Sequence, residues 1–305
     1  MAKRYMFGKR RKRFSLQAIA LTAAASALIV GFFLHWNRPA FQGTALSNSQ
    51  KDVKQDIPQA QENVPQLNLG LNKVITQLQQ EATEKVFRLS VPERFQGIAL
   101  RQVDLSEKQK VIALTFDDGP WPRSTSKILE ILKKNEIKAT FFMLGEPVKE
   151  YPQIAQQVVS EGHVVGNHTW HHWYHKLDSE TAAREIEDTA SIIYQTTGVR
   201  TSLFRPPGGI LDNGPADYAK KQNYFVALWS DDSLDYRRPN VEKLVKNVLK
   251  NAKSGGIVLM HDGGGDRSNT VKALPKIIAE LKKRDYKFVT VPELLEIKDQ
   301  ELESK

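Results

Sequence analysis

From about residue 108 onward the chain alternates short runs of β-branched and aromatic residues with longer runs in which apolar positions recur every three or four residues. Seven of the short runs read as strands: VIALTF (111–116), ATFFML (139–144), HVVGNH (163–168), SLFRPP (202–207), YFVALWS (224–230), GIVLMH (256–261) and KFVTV (287–291). Between them, runs such as STSKILEILKKN and NVEKLVKNVLKNA have helical spacing. This alternation implies a parallel sheet with helices outside it. Seven such units predict an α/β fold of the distorted (β/α) barrel type. An open doubly wound sheet is the rival arrangement.

Upstream the pattern is different. Leu16 to Trp36 runs with only Gln17, Thr22, Ser26 and His35 as polar interruptions, after a flank holding Lys3, Arg4, Lys9, Arg10, Arg11, Lys12 and Arg13. About 20 apolar residues span a bilayer core, whereas a cleaved signal has a core of about 7 to 15. Residues 14–36 are therefore expected to be an uncleaved transmembrane signal anchor, with 1–13 as its basic cytoplasmic flank. The positive-inside rule then places everything after Trp36 outside a single-pass membrane crossing. The alternative is secretion after cleavage at the small-residue stretch Gly43-Thr44-Ala45, giving a mature start near Leu46. Residues 37–70, rich in Gln, Asn, Ser and Pro, read as a disordered tether. Leu71, Val74, Ile75, Leu78, Ala82, Val86 and Leu89 keep helical spacing until Pro92, so 71–107 are read as a helix and lead-in. The catalytic domain is expected over 108–297, with 298–305 as a charged tail.

Composition changes this picture in two places. The net charge of +9 invites a nucleic-acid partner, but nine of the 44 Lys and Arg residues precede Asp52 and no acid does. Residues 52–305 thus hold 35 bases against 35 acids, and the basic face that phosphate binding needs is not indicated. The absence of cysteine excludes disulfides, thiolate metal sites and a cysteine nucleophile.

Unusual polar residues cluster where the strands end, the face on which barrel enzymes build their active sites. TFDDGP sets Asp117 and Asp118 side by side before a turn. Adjacent side chains point in different directions, so one carboxylate can bind a cation while its neighbour faces a substrate. GNHTWHHWYH packs His168, His171, His172 and His175 into a chain with seven histidines in all. His168/His172 and His171/His175 are both four apart, and spacing alone does not choose between them. Two histidines and an aspartate make a three-ligand catalytic metal site with a position open for water; Zn²⁺ suits these donors, and non-haem iron uses the same set. FRPPGG offers Arg205 to orient a carboxylate and glycines that let backbone N–H groups approach a ligand. WSDDSLDY brings Asp231, Asp232 and Asp235, and IVLMHD brings His261, a candidate general acid.

Taken together, TFDDGP, HTWHH, RPPGG, DSLDY and LMHD resemble, in order, the five motifs of the NodB-type polysaccharide deacetylases, carbohydrate esterase family four. The resemblance covers roughly residues 108–295. It implies that Asp118, His168 and His172 hold a divalent metal, Zn²⁺ or Co²⁺, and that Asp117 is the catalytic base. It further implies that Arg205 orients Asp117, that His261 is the acid, and that Asp235 supports both Arg205 and His261. Pro207, Gly208, Tyr236 and Leu259 would contact substrate, Leu259 at the acetyl methyl. His171 and His175 would then be solvent-side or rim residues. Many relatives carry an aromatic residue in place of Gly208 and Trp in place of Tyr236.

The implied activity is metal-dependent removal of N-acetyl groups from N-acetylglucosamine-type residues of a cell-envelope polysaccharide, peptidoglycan foremost. Chitin-type oligomers and O-acetylated xylan are rival substrates. A catalytically silent glycan-binding protein on the same fold is the rival class, and an iron oxygenase leaves the flanking base and acid unexplained.

Overall fold

The computed structural model describes residues 74–75, 91–106 and 109–304. The basic flank, the apolar segment, the tether and most of the helix read over 71–107 lie outside the described residues. Val74 and Ile75 are helical and exposed. Among the described residues no helix is long and apolar enough to cross a membrane.

Among the described residues nine strands form one sheet: β1 Ala99–Leu100, β2 Val111–Asp117, β3 Thr140–Met143, β4 Val164–Asn167, β5 Leu203–Phe204, β6 Phe225–Ala227, β7 Asp231–Asp232, β8 Gly256–His261 and β9 Lys287–Val289. All neighbouring strands are parallel, in the order β1-β6-β5-β4-β3-β2-β8-β7, with β9 beside β2. Chain reach shows that the sheet is rolled. Six strand intervals separate β6 from β7, about 29 Å across a flat sheet at roughly 4.8 Å each. Yet Ala227 and Asp231 are four residues apart and can be separated by at most about 14 Å. The two ends of the sheet must therefore approach each other, a curled barrel rather than an open doubly wound sheet. The Ser230 N–H accordingly bonds the Ile257 carbonyl, and the Leu228 N–H the Leu100 carbonyl.

Strand alternation sorts β2 into two files. Ile112, Leu114 and Phe116 pack outward with Ile128, Leu129 and Leu132 of α1 (Ser124–Lys134), Leu244 and Val248 of α6 (Val241–Asn251), and Leu274, Ile277, Ile278 and Leu281 of α7 (Ser268–Lys283). Val111 and Ala113 join the second cluster, with Phe142, Leu203, Phe225, Ala227 and Ile257. Thr115 and Asp117 continue that second file. Parallel pairing carries it to the sheet's C-terminal edge, where apolar residues give way to polar ones.

The remaining helices are α2 Gly145–Glu150, α3 Pro152–Ser160, α4 Ser179–Thr197, α5 Pro215–Lys221 and α8 Val291–Glu303. Local chemistry sets several ends. Asp178 accepts the Thr181 N–H at 2.8 Å to start α4, and Gly198, at φ 74°, ends it. Asn240 caps α6 through the Lys243 N–H, and Thr290 with Glu293 forms a capping box on α8. The seven strands read from sequence are all present. β1 and β7, two residues each, are additional. β1 and the Gln102–Gly256 bridge place residues upstream of 108 in the sheet, and α8 runs on to Glu303, into the stretch read as a charged tail.

Candidate active site

Parallel register assembles the site. Asp117, the last residue of β2, is paired with His261, the last residue of β8, and with Phe142 of β3. Met143 pairs with Asn167 and Asn167 with Phe204, so His168 and Arg205 emerge side by side from β4 and β5. A cavity of about 570 Å³ opens at these ends, lined by Asp117, Asp118, His168, His172, Gly208, Tyr236, Leu259 and His261.

Asp118 Oδ1 lies 3.5 Å from His168 Nε2 and 3.3 Å from His172 Nε2. One donor atom from each of the three residues falls within 4.8 Å of the others. That oxygen is buried and has no hydrogen-bond partner among the described residues, which suits a cation better than a solvated turn. His168 Nδ1 stands 2.6 Å from the Arg205 carbonyl, which makes Nδ1 a donor and turns Nε2 toward Asp118. Burial, with His168 adding, pushes His172 down to about 4, so the His172 imidazole is neutral. Burial raises the Asp118 carboxyl, but the neighbouring histidines outweigh it and hold the group well below the usual carboxylate range. Two imidazole nitrogens and one carboxylate oxygen fit a divalent metal. Gly263 makes room for this cluster, since a Cβ there would lie 2.0 Å from the Asp118 carbonyl oxygen.

The histidine stretch is not helical. Residues 168–178 form a loop, with Thr169 and His172 at positive φ. His171 lies outside the metal-ligand cluster, with its side chain partly exposed. Its Nδ1 lies 2.5 Å from Glu185 Oε1, and the Trp170 and His171 N–H groups both donate to Glu185 Oε2 at 2.9 Å. Glu185, on α4, is buried. His163 belongs to the core, its Nδ1 accepting the Ala139 N–H at 3.1 Å.

Arg205 is fully buried and stacks over the Phe142 ring, 4.1 Å from its centroid. It donates to Asp117 Oδ1 at 2.7 Å, Thr115 Oγ1 at 2.8 Å, and the Ala227 and Leu228 carbonyls at 2.9 and 3.3 Å. Asp117 is thereby held by one oxygen, and its Oδ2 faces His168 Nε2 at 3.8 Å. Across the cavity, His261 Nδ1 is 2.6 Å from Asp235 Oδ1, while the other oxygen of Asp235 accepts the His261 N–H and the Thr270 hydroxyl. None of Asp235's bonds goes to Arg205, whose partners are Asp117, Thr115 and the Ala227 and Leu228 carbonyls; the expected support of Arg205 by Asp235 is corrected. Burial lowers the His261 pKa, but the bond to Asp235 and the charges of Asp235, Asp117 and Asp118 prevail and raise it to about 9.

Pro207 is buried and does not line the cavity, whereas Gly208 does. Asp232, Trp229, Tyr174 and Arg267 also line it, and the last three were not selected from sequence. Asp232 belongs to a cluster that sequence had singled out. Arg267 Nη2, 3.9 Å from Asp118 Oδ2, follows a glycine run with no signature. Asp262 is buried against the Thr125 hydroxyl, and burial pushes its carboxyl up to about 7, with Asp118 and Asp117 adding and Thr125 opposing.

A rolled parallel barrel with a metal-ligand triad, a held carboxylate and a charged imidazole at its strand ends has the make-up of a metal-assisted hydrolase. The polysaccharide deacetylase family profile matches residues 104–227. A peptidoglycan-N-acetylglucosamine deacetylase of Bacillus cereus is 45% identical over 197 residues, which cover 64% of this chain and 92% of that protein. The peptidoglycan-N-acetylmuramic acid deacetylase PdaC of Bacillus subtilis is 39% identical, over 66% of this chain and 42% of that one. The crystal structure of the Bc1960 peptidoglycan N-acetylglucosamine deacetylase, in complex with 4-naphthalen-1-yl-N-oxidanyl-benzamide, matches with a TM-score of 0.61 and 36% identity, covering 65% of this chain and 92% of that one. BA3943 of Bacillus anthracis, described as a CE4 family pseudoenzyme, matches at 0.60 with 31% identity, over 65% and 69%. The chain belongs to the polysaccharide deacetylase family.

Proposed function

We propose that this protein is a metal-dependent hydrolase that removes N-acetyl groups from the N-acetylglucosamine residues of a cell-envelope polysaccharide, peptidoglycan. The observation that carries the reading is one cavity in which the Asp118–His168–His172 triad lies beside Asp117 and opposite a charged His261. The 45% identical relative named for this activity supports the substrate.

Asp118, His168 and His172 would hold the metal, and their nitrogen and oxygen donors favour Zn²⁺. A divalent cation bound there supplies polarisation of the acetyl carbonyl and a lowered pKa for water. Asp117, with one oxygen tied to Arg205, has the other free to take a proton from the water that attacks the carbonyl carbon. Arg205 acts through Asp117: its remaining N–H groups bond Thr115 and two carbonyls, so the carboxylate cannot turn. The Gly209 and Ile210 N–H groups close the turn onto the Pro206 and Pro207 carbonyls, which leaves the Gly208 N–H at the cavity as the donor for the developing oxyanion. His261, its Nδ1 held by Asp235, presents a protonated Nε2 to the sugar nitrogen. When the C–N bond breaks, that proton goes to the departing amine, leaving acetate and a free amino sugar. Without it the leaving group would be an amide anion. Leu259, at the cavity wall, accommodates the acetyl methyl, and Tyr236 a sugar face.

Residues 1–36 support anchoring in the cell membrane, with the catalytic domain outside. The test of the activity is a substrate panel of peptidoglycan, N-acetylglucosamine oligomers and acetylated xylan, assayed with Zn²⁺ and with Co²⁺ for released acetate and free amine. The expected result is acetate release from the N-acetylated glycans, abolished by chelator and lowered at least 100-fold by Asp117→Asn. Metal-loaded protein that is silent on every substrate would return it to the class of the pseudoenzyme relative.

A further inference from the structure

Tyr174 lies in the cavity wall, although no motif selects it. It is fixed from three sides. Its ring meets His172 edge-on, with centroids 4.9 Å apart and planes at 90°. A Cβ built on Gly208 would lie 2.9 Å from Tyr174 Cε1, so the tyrosine fills the space above that glycine. Its carbonyl accepts a hydrogen bond from Asn213, a buried side chain on the next loop. Despite this anchoring, 59% of Tyr174 is exposed. On the acid side of the cavity Tyr236, 43% exposed, stands against His261 with centroids 5.8 Å apart. Two open aromatic rings thus flank the reacting groups, one beside a metal ligand and one beside the acid. Large aromatic surface left open at a cavity marks a contact for a ligand with apolar faces. A pyranose presents such faces, its axial C–H groups lying flat against a ring.

We infer that Tyr174 is a specificity-determining substrate residue, the aromatic wall of the sugar cleft on the metal side. It supplies from the histidine loop the surface that Gly208, lacking a side chain, cannot. The inference rests on the proposed reading of the site as one for N-acetylated hexosamine chains. Because Tyr174 is two residues from His172, contact with the sugar and placement of the metal share one loop.

The test separates binding from turnover. In the full-length, zinc-loaded protein, Asp117→Asn leaves the N-acetylglucosamine tetramer uncleaved, and its binding is measured by calorimetry. Adding Tyr174→Ala is expected to weaken binding at least tenfold, with bound zinc unchanged; adding Tyr174→Phe is expected to keep it within threefold. With Asp117 restored, Tyr174→Ala raises KM at least tenfold and lowers kcat by less than threefold. Tyr194→Ala, on the outer face of α4, changes neither constant. Unchanged tetramer affinity in Tyr174→Ala overturns the inference. So does loss of zinc from that variant, which would make the tyrosine a prop for His172. Tetramer binding that falls on Tyr174→Ala, in a protein that turns over no glycan, would support the sugar wall and sink the deacetylase reading alone.

Discussion

Asp118, Thr169 and His172 hold φ values of 72°, 72° and 64°, in the left-handed region that costs a non-glycine residue roughly 1–2 kcal/mol. Such strain persists only where surrounding bonds over-determine it. At the histidine loop those bonds come from Glu185, whose two oxygens take two backbone N–H groups and the His171 ring. Glu185→Ala is therefore expected to weaken metal binding about 10- to 100-fold with every ligand intact. His171→Ala, which leaves the two backbone bonds in place, should have a smaller effect, and His168→Ala or His172→Ala should abolish binding. Titration calorimetry with Zn²⁺ checks the order, and full affinity in Glu185→Ala would remove the latch from the account. The proposed proton donor, His261, has its own control. Asp235 raises the His261 pKa, so activity that needs protonated His261 falls as pH rises through that value. Asp235→Asn removes the anionic partner and is expected to move the alkaline limb of the kcat/KM profile to lower pH by about 1–2 units. A limb that stays in place would assign it to another group. What sequence could not reveal at this scale is partnership. Glu185 sits 13 residues beyond His172 in an ordinary amphipathic helix, and Tyr174 and Arg267 lie in loops whose periodicity carries no signal.

Strand register explains why so much of the site was nonetheless legible. Runs of β-branched and aromatic residues mark β2, β3, β4 and β8, and in a parallel sheet their C-terminal residues fall in line. Asp117, His168, Arg205 and His261 therefore meet once the alternation is recognised. β5 is as short, but its Leu203 and Phe204 are apolar; β1 lies upstream of the alternation and β7 consists of two aspartates, a residue depleted in strands. The four-residue spacing of both histidine pairs did not choose between them, and positive φ at Thr169 and His172 bends the chain into a loop that brings His172 to Asp118. β7 also carries a liability. Asp232 lines the cavity, so by alternation Asp231 points the other way, where both its oxygens are buried and lack a partner among the described residues. Burial, with Asp232 adding, pushes its carboxyl up to about 8. A carboxyl raised on folding imposes no ionisation penalty below its unfolded pKa near 3.8, and the penalty grows as pH rises from there toward 8. Asp231→Val is expected to stabilise the fold at pH 8, with a pH-dependent part on the order of 3 kcal/mol that fades toward pH 4. Denaturant unfolding at the two pH values measures it, and an equal gain at both would exclude ionisation as the cause.

At the scale of the whole molecule, charge separates along the chain. The surplus of nine basic residues lies before Asp52, and the remainder balances. A basic segment flanking an apolar run of bilayer length has a direct physical consequence, because Lys and Arg are retained on the cytoplasmic side while the run crosses. We propose that the catalytic domain is thereby held outside the membrane, within reach of a polymer that surrounds the cell. A tethered enzyme meets its substrate at a local concentration set by tether length. The expected outcome in intact protoplasts is that protease added outside digests the barrel domain while a fragment containing residues 1–13 survives in the membrane fraction, resistant to high salt and carbonate. Salt resistance is the informative part: the apolar run holds by hydrophobic transfer, which salt does not weaken, whereas a basic flank lying on anionic lipid would be released as the Debye length shortens. A protein recovered from the medium with its first residue near Leu46 would replace the anchor with a cleaved signal, and the concentration advantage of the tether would go with it.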